Sequence, residues 1–225
     1  MKLSKKLLPV AMSALVAAPL WLGATSAQAG VSATLGAANM YLWRGQNLTP
    51  DGPQFSGSLD YGHDSGFYAG AWMTNETGGH ETDLYVGYGT SFGDFGIDVS
   101  YWKYLYPEDG VSAPRTGTGL GDNDFSDFVI SLSYGPVAFT AYLGAESGTT
   151  KDDYYTLSGD IGSFSVLYGT YQGDGASSGS DYDHIQLGYA FNDNISFAVS
   201  KASDDGAGVE EDPLFVVSYS QTFDL

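Results

Sequence analysis

The chain contains no cysteine and carries little positive charge. Among its 225 residues, eight Lys and Arg stand against 27 Asp and Glu, and the formal net charge at pH 7 is −19. Without thiols, a disulfide framework and a thiolate metal site are both excluded. Because so acidic a surface repels phosphate groups, we do not expect nucleic-acid binding either.

The sequence also lacks a long apolar segment after its N-terminal leader. A membrane-spanning helix needs ~18 consecutive apolar residues, and no stretch beyond residue 29 provides them. The leader has three lysines within its first six residues, an apolar run over 7–22 and an A-x-A pattern that ends at Ala29. These features are typical of a secretory signal peptide. We therefore expect cleavage after Ala29 and a mature chain, 30–225, that forms a single domain.

Glycine and aromatic residues are abundant in this chain. It contains 31 glycines, 17 tyrosines and 12 phenylalanines, whereas charged residues make up only 16%. A disordered acidic protein would contain few aromatics, and short runs of Tyr, Phe, Val and Thr favour β-strands. The composition therefore indicates an all-β fold.

Apolar and polar residues alternate with period two along the mature chain. In 126–134, Phe128 and Ile130 share the apolar face, and Asp127 and Ser131 lie on the other. Such alternation predicts strands of ~9–11 residues, the length with which a tilted strand crosses a bilayer. The twelve predicted strands span 31–43, 54–62, 66–74, 82–91, 95–106, 125–134, 137–146, 154–161, 164–172, 182–191, 195–203 and 214–225.

The connections between these strands alternate between short and long. Tight turns are predicted at 63–65, 93–94, 135–136, 162–163 and 192–194. Longer polar loops are predicted at 44–53, 75–81, 107–124, 147–153, 173–181 and 204–213. Short periplasmic turns and long extracellular loops are typical of bacterial outer-membrane barrels, so the sequence predicts an antiparallel transmembrane β-barrel in the Gram-negative outer membrane. The alternative is a soluble barrel or sandwich with its apolar faces inside.

Aromatic residues near the strand ends predict two girdles at the membrane interfaces. The predicted girdle at the turns consists of Phe92, Phe95, Tyr134, Phe164 and Phe191. The predicted girdle near the loops consists of Trp43, Trp72, Tyr101, Phe125 and Tyr171.

Two stretches near the N-terminus resemble a known family. Residues 36–49, GAANMYLWRGQNLT, and 53–75, PQFSGSLDYGHDSGFYAGAWMTN, are similar to the TorF-type porins of Gram-negative bacteria. In that family the first strand ends in an aromatic-x-Arg-Gly-like motif. The resemblance implies an outer-membrane porin and supplies no catalytic residues. Outer-membrane barrels most commonly end in an aromatic residue, whereas the last residue of this chain is Leu225.

Candidates for catalysis or metal binding are few. His63 falls in a predicted turn and His80 in a predicted loop, while His184 lies in a strand with Ser180 in the loop before it. No histidine is spaced from a serine so that both share one strand face, as a hydrolase would need. The acidic clusters at 122–127 and 204–212 lack the spacing of a calcium loop. We therefore predict no catalytic residue, cofactor or metal site, and His184 is the one residue to test for lipid hydrolysis.

The inward faces of the predicted strands carry aspartates but no Lys or Arg. Because an unpaired carboxylate is costly in a dry interior, we expect a narrow, wet, acidic lumen. Twelve strands lie between the filled eight-stranded barrels and the wide porins. The predicted pore-lining residues are Asp60, Asp83, Asp98, Asp127 and Asp160.

The sequence thus predicts a diffusion channel for small solutes that prefers cations and contacts outer-membrane lipid and lipopolysaccharide. Carboxylates that line a pore favour cations, as rings of Lys or Arg favour anions. Two alternatives remain: a structural or adhesive barrel without an open pore, and a lipid-modifying enzyme. The sequence predicts neither the solute nor the oligomeric state.

Overall fold

The computed structural model describes residues 29–77, 79–106, 125–145, 152–173, 181–204 and 209–225. Within these ranges, no helix is long and apolar enough to cross a membrane. The predicted leader falls outside them up to residue 28, and so does the predicted loop 107–124. Most of the predicted loops 147–153 and 173–181 lies outside them as well, and so do residues 205–208 of the predicted loop 204–213.

The described residues form a closed antiparallel barrel of twelve strands and one small separate hairpin. In chain order the strands are β1 (Gly30–Ala38), β2 (Leu42–Trp43), β3 (Gln46–Asn47), β4 (Gln54–Gly62), β5 (Phe67–Glu76), β6 (Gly79–Phe92), β7 (Phe95–Leu105), β8 (Phe125–Tyr134), β9 (Val137–Gly144), β10 (Asp153–Ile161), β11 (Phe164–Gln172), β12 (Tyr182–Ala190), β13 (Ile195–Asp204) and β14 (Leu214–Asp224). Here β2 and β3 pair only with each other, and β1 closes the ring between β4 and β14. The predicted twelve-stranded barrel is confirmed. Its predicted bounds agree to within a few residues, except that the first strand ends at Ala38 and not at Trp43.

Large apolar side chains cover the outside of the barrel. Phe128, Ile130 and Leu187 are 52%, 36% and 56% exposed, whereas Asp127 and Ser131 on the opposite face are 5% and 6% exposed. So large an apolar surface is rare on a soluble monomer, whereas lipid solvates it, and a closed barrel leaves no unpaired strand edge in the membrane. The fold is therefore a transmembrane β-barrel, and the alternative of a soluble barrel with its apolar faces inside is wrong.

Three of the five predicted tight turns contain a glycine with positive φ, a fourth is followed directly by one, Gly66, and all five turns are confirmed. One predicted loop, 75–81, is wrong. There β5 continues to Glu76 and β6 begins at Gly79, and His80 pairs across the sheet with Asn75. Backbone pairing does not require apolar side chains, so the ladder extends through these polar residues, and His80 lies in a strand.

The two ends of the barrel differ in where their aromatic residues point. At the end with the tight turns, which we call the turn end, all five predicted girdle residues are exposed, from 41% for Phe95 to 71% for Phe92. At the opposite, loop end, Trp43, Trp72 and Tyr171 lie inside the barrel, so the predicted girdle there is wrong for these three. Successive side chains of a strand point alternately into the barrel and out of it, so the distance of a residue from the strand end does not decide which way its side chain points. Tyr101 packs beside outward Phe128, and the side chain of Phe125 is outside the described part.

Candidate functional site

A short hairpin occupies the place where the sequence predicted the external loop 44–53. Its two turn residues, Arg44 and Gly45, have φ angles of 46° and 86°. Positive φ at both central residues is the signature of a type I′ turn, the tight turn of two-residue hairpins. Arg44 is the only non-glycine with positive φ in the described ranges, and this conformation costs about 1–2 kcal/mol for an L-residue. We call residues 39–49 the lumen hairpin, because the following contacts place it inside the barrel.

The tip of the lumen hairpin reaches two distant parts of the barrel wall. One guanidinium nitrogen of Arg44 donates to Asp127 Oδ2 on β8 at 2.7 Å. Gln46 Nε2 donates to the hydroxyl of Tyr182 on β12 at 2.6 Å, and that hydroxyl donates to the carbonyl oxygen of Arg44 at 2.9 Å. Since β8 and β12 are four strands apart in the ring, the tip bridges the lumen.

The base of the lumen hairpin is held by hydrogen bonds that involve backbone groups. Val217 N donates to Asn39 Oδ1 at 2.7 Å, and Asn39 N donates to Val217 O at 3.2 Å. On the other arm, the backbone N and the Oγ1 of Thr77 donate to Leu48 O at 3.0 and 2.7 Å. The base is therefore joined to the barrel on both sides, while the tip is held through side chains.

Four aromatic rings surround the guanidinium of Arg44. Its central carbon lies 4.6 Å from the ring centre of Trp43, 4.9 Å from Tyr154, 5.2 Å from Tyr142 and 5.9 Å from Tyr171. All four distances are within the ~6 Å over which a cation is attracted to an aromatic face. We call these rings the aromatic cage. Because the Arg44 side chain is only 8% exposed, the attraction acts with little screening by water.

Asp127 neutralises Arg44 in this cage. The same Oδ2 atom that accepts from Arg44 also accepts from the hydroxyl of Tyr104 at 3.1 Å. Burial by itself lowers the pKa of Arg44, but the negative charge of Asp127 and the neighbouring tyrosines together outweigh burial, so the pKa lies above its ordinary value and the residue stays charged. The prediction that Asp127 has no cationic partner is therefore wrong. Strand alternation locates wall residues but cannot show that a residue between strands folds inward.

Two more buried carboxylates lie on β6 in the same half of the lumen. Glu81 is 1% exposed and Asp83 is 0% exposed. Glu81 accepts hydrogen bonds from the hydroxyls of Tyr41 at 3.1 Å and Tyr106 at 3.0 Å. Neither carboxylate oxygen of Asp83 has a hydrogen-bond partner among the described residues. With Asp127, this half of the lumen holds three buried carboxylates and, in the described ranges, the single inward cation Arg44.

The remaining predicted pore residues lie toward the turn end. Tyr85 donates to Asp60, and the Tyr68 hydroxyl donates to Asp98 Oδ1 at 2.9 Å. Asp160 is exposed near the turn-end mouth, where it faces Ser165 across the ladder. Small, partly buried serines line this half: Ser58, Ser133, Ser158, Ser165, Ser196 and Ser220. All five predicted aspartates thus occupy inward positions but fall into two separate groups, and their role in lining a pore stays a prediction.

The middle of the lumen is packed. Tyr154 and Ser200 are 0% exposed, Val216 is 2% and Ser218 is 3%. Such burial is typical of a protein core, so the narrow, wet lumen that the sequence predicts is not found around these four side chains. The lumen hairpin and the inward aromatic rings fill the space that the small wall residues leave.

His184 lies in this packed region and is bonded to a tyrosine. Its Nε2 lies 2.7 Å from the Tyr154 hydroxyl, and the two rings stack with an interplanar angle of 8°. A β-carbon added to Gly45 would lie 2.7 Å from His184 Cγ, so the hairpin turn sits directly on the imidazole. Ser180 lies outside the described ranges, as do residues 122–124 of one acidic cluster. Among the described residues, no group of three metal-binding side chains is assembled.

The lumen hairpin is what the sequence interpretation missed. Two signals in Trp43-Arg44-Gly45-Gln46 point to it. A glycine in the second turn position favours a two-residue hairpin, and Arg44 is one of very few cations in an acidic chain. Neither signal places the hairpin inside the barrel.

The barrel is similar to solved structures of membrane proteins. The "KdgM porin" matches with a TM-score of 0.52 and 9% identity, over 86% of this chain and 99% of that chain. A protein from a study of the in-meso crystallization of membrane proteins matches with a TM-score of 0.51 and 11% identity, over 87% and 84%. Pseudomonas aeruginosa OccK10 (OpdN) matches with a TM-score of 0.44 and 11% identity, over 87% and 70%. At such identities, the first two likenesses show the barrel fold alone.

Sequence comparison gives a family but no function. No curated protein matches the chain. The matching family model does not carry the TorF name, so membership of the TorF-type porin family stays a prediction. The match of this family model extends from residue 23 to residue 193, which is most of the chain. The chain therefore belongs to the Gcw_chp family, described as bacterial protein of unknown function.

Proposed function

We propose that this barrel is a channel of the Gram-negative outer membrane for small solutes, and that the lumen hairpin closes it. The observation that carries this proposal is the hairpin itself, which is separate from the barrel sheet and fills the loop half of the lumen. Twelve strands enclose more space than an eight-stranded barrel filled by its own wall side chains. Similarity in fold to a barrel named as a porin supports the same function.

The contacts of the hairpin suit an element that moves. Within the described ranges, its tip, 42–47, makes no backbone–backbone hydrogen bond to the barrel wall. The tip is held by the ion pair of Arg44 with Asp127, by the bonds to Tyr182, by the aromatic cage and by the packing of Leu42 on Ala198 and Val216. Releasing these side-chain contacts would free the tip while the barrel ladders stay intact.

The channel is further proposed to prefer cations. The turn half carries Asp60, Asp98 and Asp160 on inward positions, and the described Lys103 and Lys201 alternate onto the outward face. Inward carboxylates favour cations in a pore. Arg44 opposes this preference only while it stays in the lumen, where Asp127 already compensates its charge.

A closed structural barrel is the second candidate. The near-zero exposure of side chains such as Tyr154 and Ser200 favours it. In this case the barrel would serve through its lipid-facing surface and its contacts with lipopolysaccharide. A lipid-modifying enzyme has less support, because the Nε2 of His184 is bonded to Tyr154 and not to a serine.

Recording in planar bilayers separates the two candidates. Wild type should show small or rare openings, and Arg44→Ala with Asp127→Asn should open more often and with larger conductance, because the tip loses its ion pair. Lys201→Ala is the matched control, since it removes a positive charge from an exposed residue outside the lumen. If neither wild type nor the double variant conducts, the closed barrel is the correct description.

A further inference from the structure

The aromatic cage resembles a ligand site that the protein itself occupies. It surrounds a planar cation with four rings at 4.6 to 5.9 Å, and Asp127 bonds that cation at 2.7 Å. Aromatic cages of this kind, with a carboxylate, recognise substituted ammonium and guanidinium groups in general. Because Tyr142, Tyr154, Tyr171 and Asp127 all belong to the barrel wall, most of the site persists when the hairpin leaves.

The charge of the surroundings also suits a cation. Glu81, Asp83 and Asp127 are buried in the same half of the lumen, where Arg44 is the one inward cation in the described ranges. Both oxygens of Asp83 lack a hydrogen-bond partner among the described residues. If Arg44 left this region, Asp127 would remain as a buried charge without a counter-ion, which favours its replacement by another cation.

Arg44, which fills the aromatic cage in this structure, belongs to a turn with a strained backbone. Arg44 adopts a positive φ of 46°, which L-residues with a β-carbon adopt rarely. A free cation that enters the cage makes the ring and carboxylate contacts without this backbone strain. This strain favours the exchange of Arg44 for a cation that is not part of the chain.

The geometry points to a binding site for a small organic cation with a guanidinium or alkylammonium group, formed by Asp127 and the three wall rings of the cage, Tyr142, Tyr154 and Tyr171. Such a solute displaces Arg44 and thereby releases the tip of the lumen hairpin. The inference rests on the proposed function in one respect, since it takes the ligand to be a solute of the channel. Binding itself is measured without any conductance.

The first experiment removes the Arg44 side chain from the aromatic cage. Full-length Arg44→Ala protein in detergent micelles is titrated with n-propylguanidinium, which carries the head group of the deleted side chain, and with its neutral isostere n-propylurea. Tryptophan fluorescence and thermal unfolding should respond saturably to the cation, and at least about tenfold more weakly to the urea. Adding Asp127→Asn should weaken cation binding by about tenfold or more. A response equal for the two compounds, or no saturable response, would overturn the inference.

The second experiment asks whether a free cation displaces Arg44 in a chain that retains it. Leu42 in the hairpin is 4% exposed and packs on Ala198 and Val216. Since the natural chain has no cysteine, Leu42→Cys supplies a single buried thiol whose maleimide labelling reports release of the tip. We expect n-propylguanidinium, but not n-propylurea, to accelerate labelling saturably. Asp94→Cys, in an exposed turn at the other end of the barrel, should label at the same rate with either compound.

These outcomes keep the inference separate from the channel function. If Arg44→Ala fails to fold, the labelling of Leu42→Cys still decides, because that variant keeps the arginine. An unchanged labelling rate would make Arg44 a fixed structural lock and overturn the inference, even where conductance shows a channel. Accelerated labelling in a barrel that never conducts would support the cation site and contradict the proposed channel.

Discussion

The two halves of the barrel interior are built from the same alternating strands but are filled in opposite ways. In the loop half, aromatic rings such as Tyr142 and Tyr154 point inward and pack around a buried arginine. In the turn half, the girdle aromatics such as Phe92 and Phe164 point outward, whereas small serines and the aspartates bonded by Tyr68 and Tyr85 face the interior. The comparison teaches that strand number alone does not make a pore, because what folds into the lumen decides whether water can enter.

The clearest way to break the contrast is to remove the buried partner of Arg44. Asp127→Asn leaves the guanidinium buried without its carboxylate, and we expect a loss of about 3–5 kcal/mol in the free energy of unfolding. Asp160→Asn, an inward but exposed carboxylate of the turn half, should cost less than about 1 kcal/mol. Urea unfolding in lipid vesicles measures both. Equal losses of unfolding free energy in the two variants would show that the interior of the loop half is as hydrated as that of the turn half.

Arginine substitutions on the lipid-facing surface test which strand positions point outward and which point into the lumen. Ile130→Arg and Leu187→Arg each place a cation near mid-bilayer and should cost about 2–4 kcal/mol. Ser131 faces inward but is 6% exposed and bonded to Thr140 at 3.0 Å, so an arginine there has no free space.

The suitable inward comparison is Ser165→Arg, because Ser165 faces Asp160 near the turn-end mouth. We expect this variant to unfold with nearly the wild-type free energy in the same vesicles. A cost as large as that of Leu187→Arg would show that the turn half is also dry.

The turn of the lumen hairpin and a turn at the turn end of the barrel can be compared through the effect of adding a β-carbon to a glycine in each. Gly45 and Gly93 both have positive φ, at 86° and 63°. An added β-carbon would lie 2.7 Å from His184 Cγ at Gly45, whereas it would meet nothing within 4 Å at Gly93. Gly93→Ala should therefore cost about 1 kcal/mol from backbone strain alone, and Gly45→Ala should cost more. Unfolding midpoints test this order, and equal midpoints would show that the hairpin turn does not rest on the imidazole.

The smallest expected effect is on ion selectivity. Asp160→Asn should lower the cation preference, because Asp160 is exposed at the turn-end mouth of the lumen. Asp83→Asn alone should leave it unchanged while the hairpin is in place, since Asp83 is 0% exposed. Reversal potentials in a salt gradient measure both variants. An anion-selective wild-type channel would contradict the proposed role of the turn-half aspartates.

The parts of the fold that depend on local pattern could be predicted from the sequence. The facing of Ile130 and Ser131 follows from strict alternation, because successive side chains in a strand point to opposite faces. The turns at Gly93 and Gly135 follow from residues that tolerate positive φ. The loop-end girdle could not be predicted, because Trp72 and Tyr171 lie in strands whose alternation is too weak to fix their faces.

The sequence by itself determined a closed barrel of twelve strands with an apolar exterior, because period-two alternation and short turns act locally along the chain. Only the tertiary structure decided what fills that barrel. The place of Arg44 depends on Asp127, 83 positions further along the chain, and on rings from β9, β10 and β11. Such contacts leave no periodic trace in the sequence, since they form only when the closed ring brings distant strands around a segment that belongs to none of them.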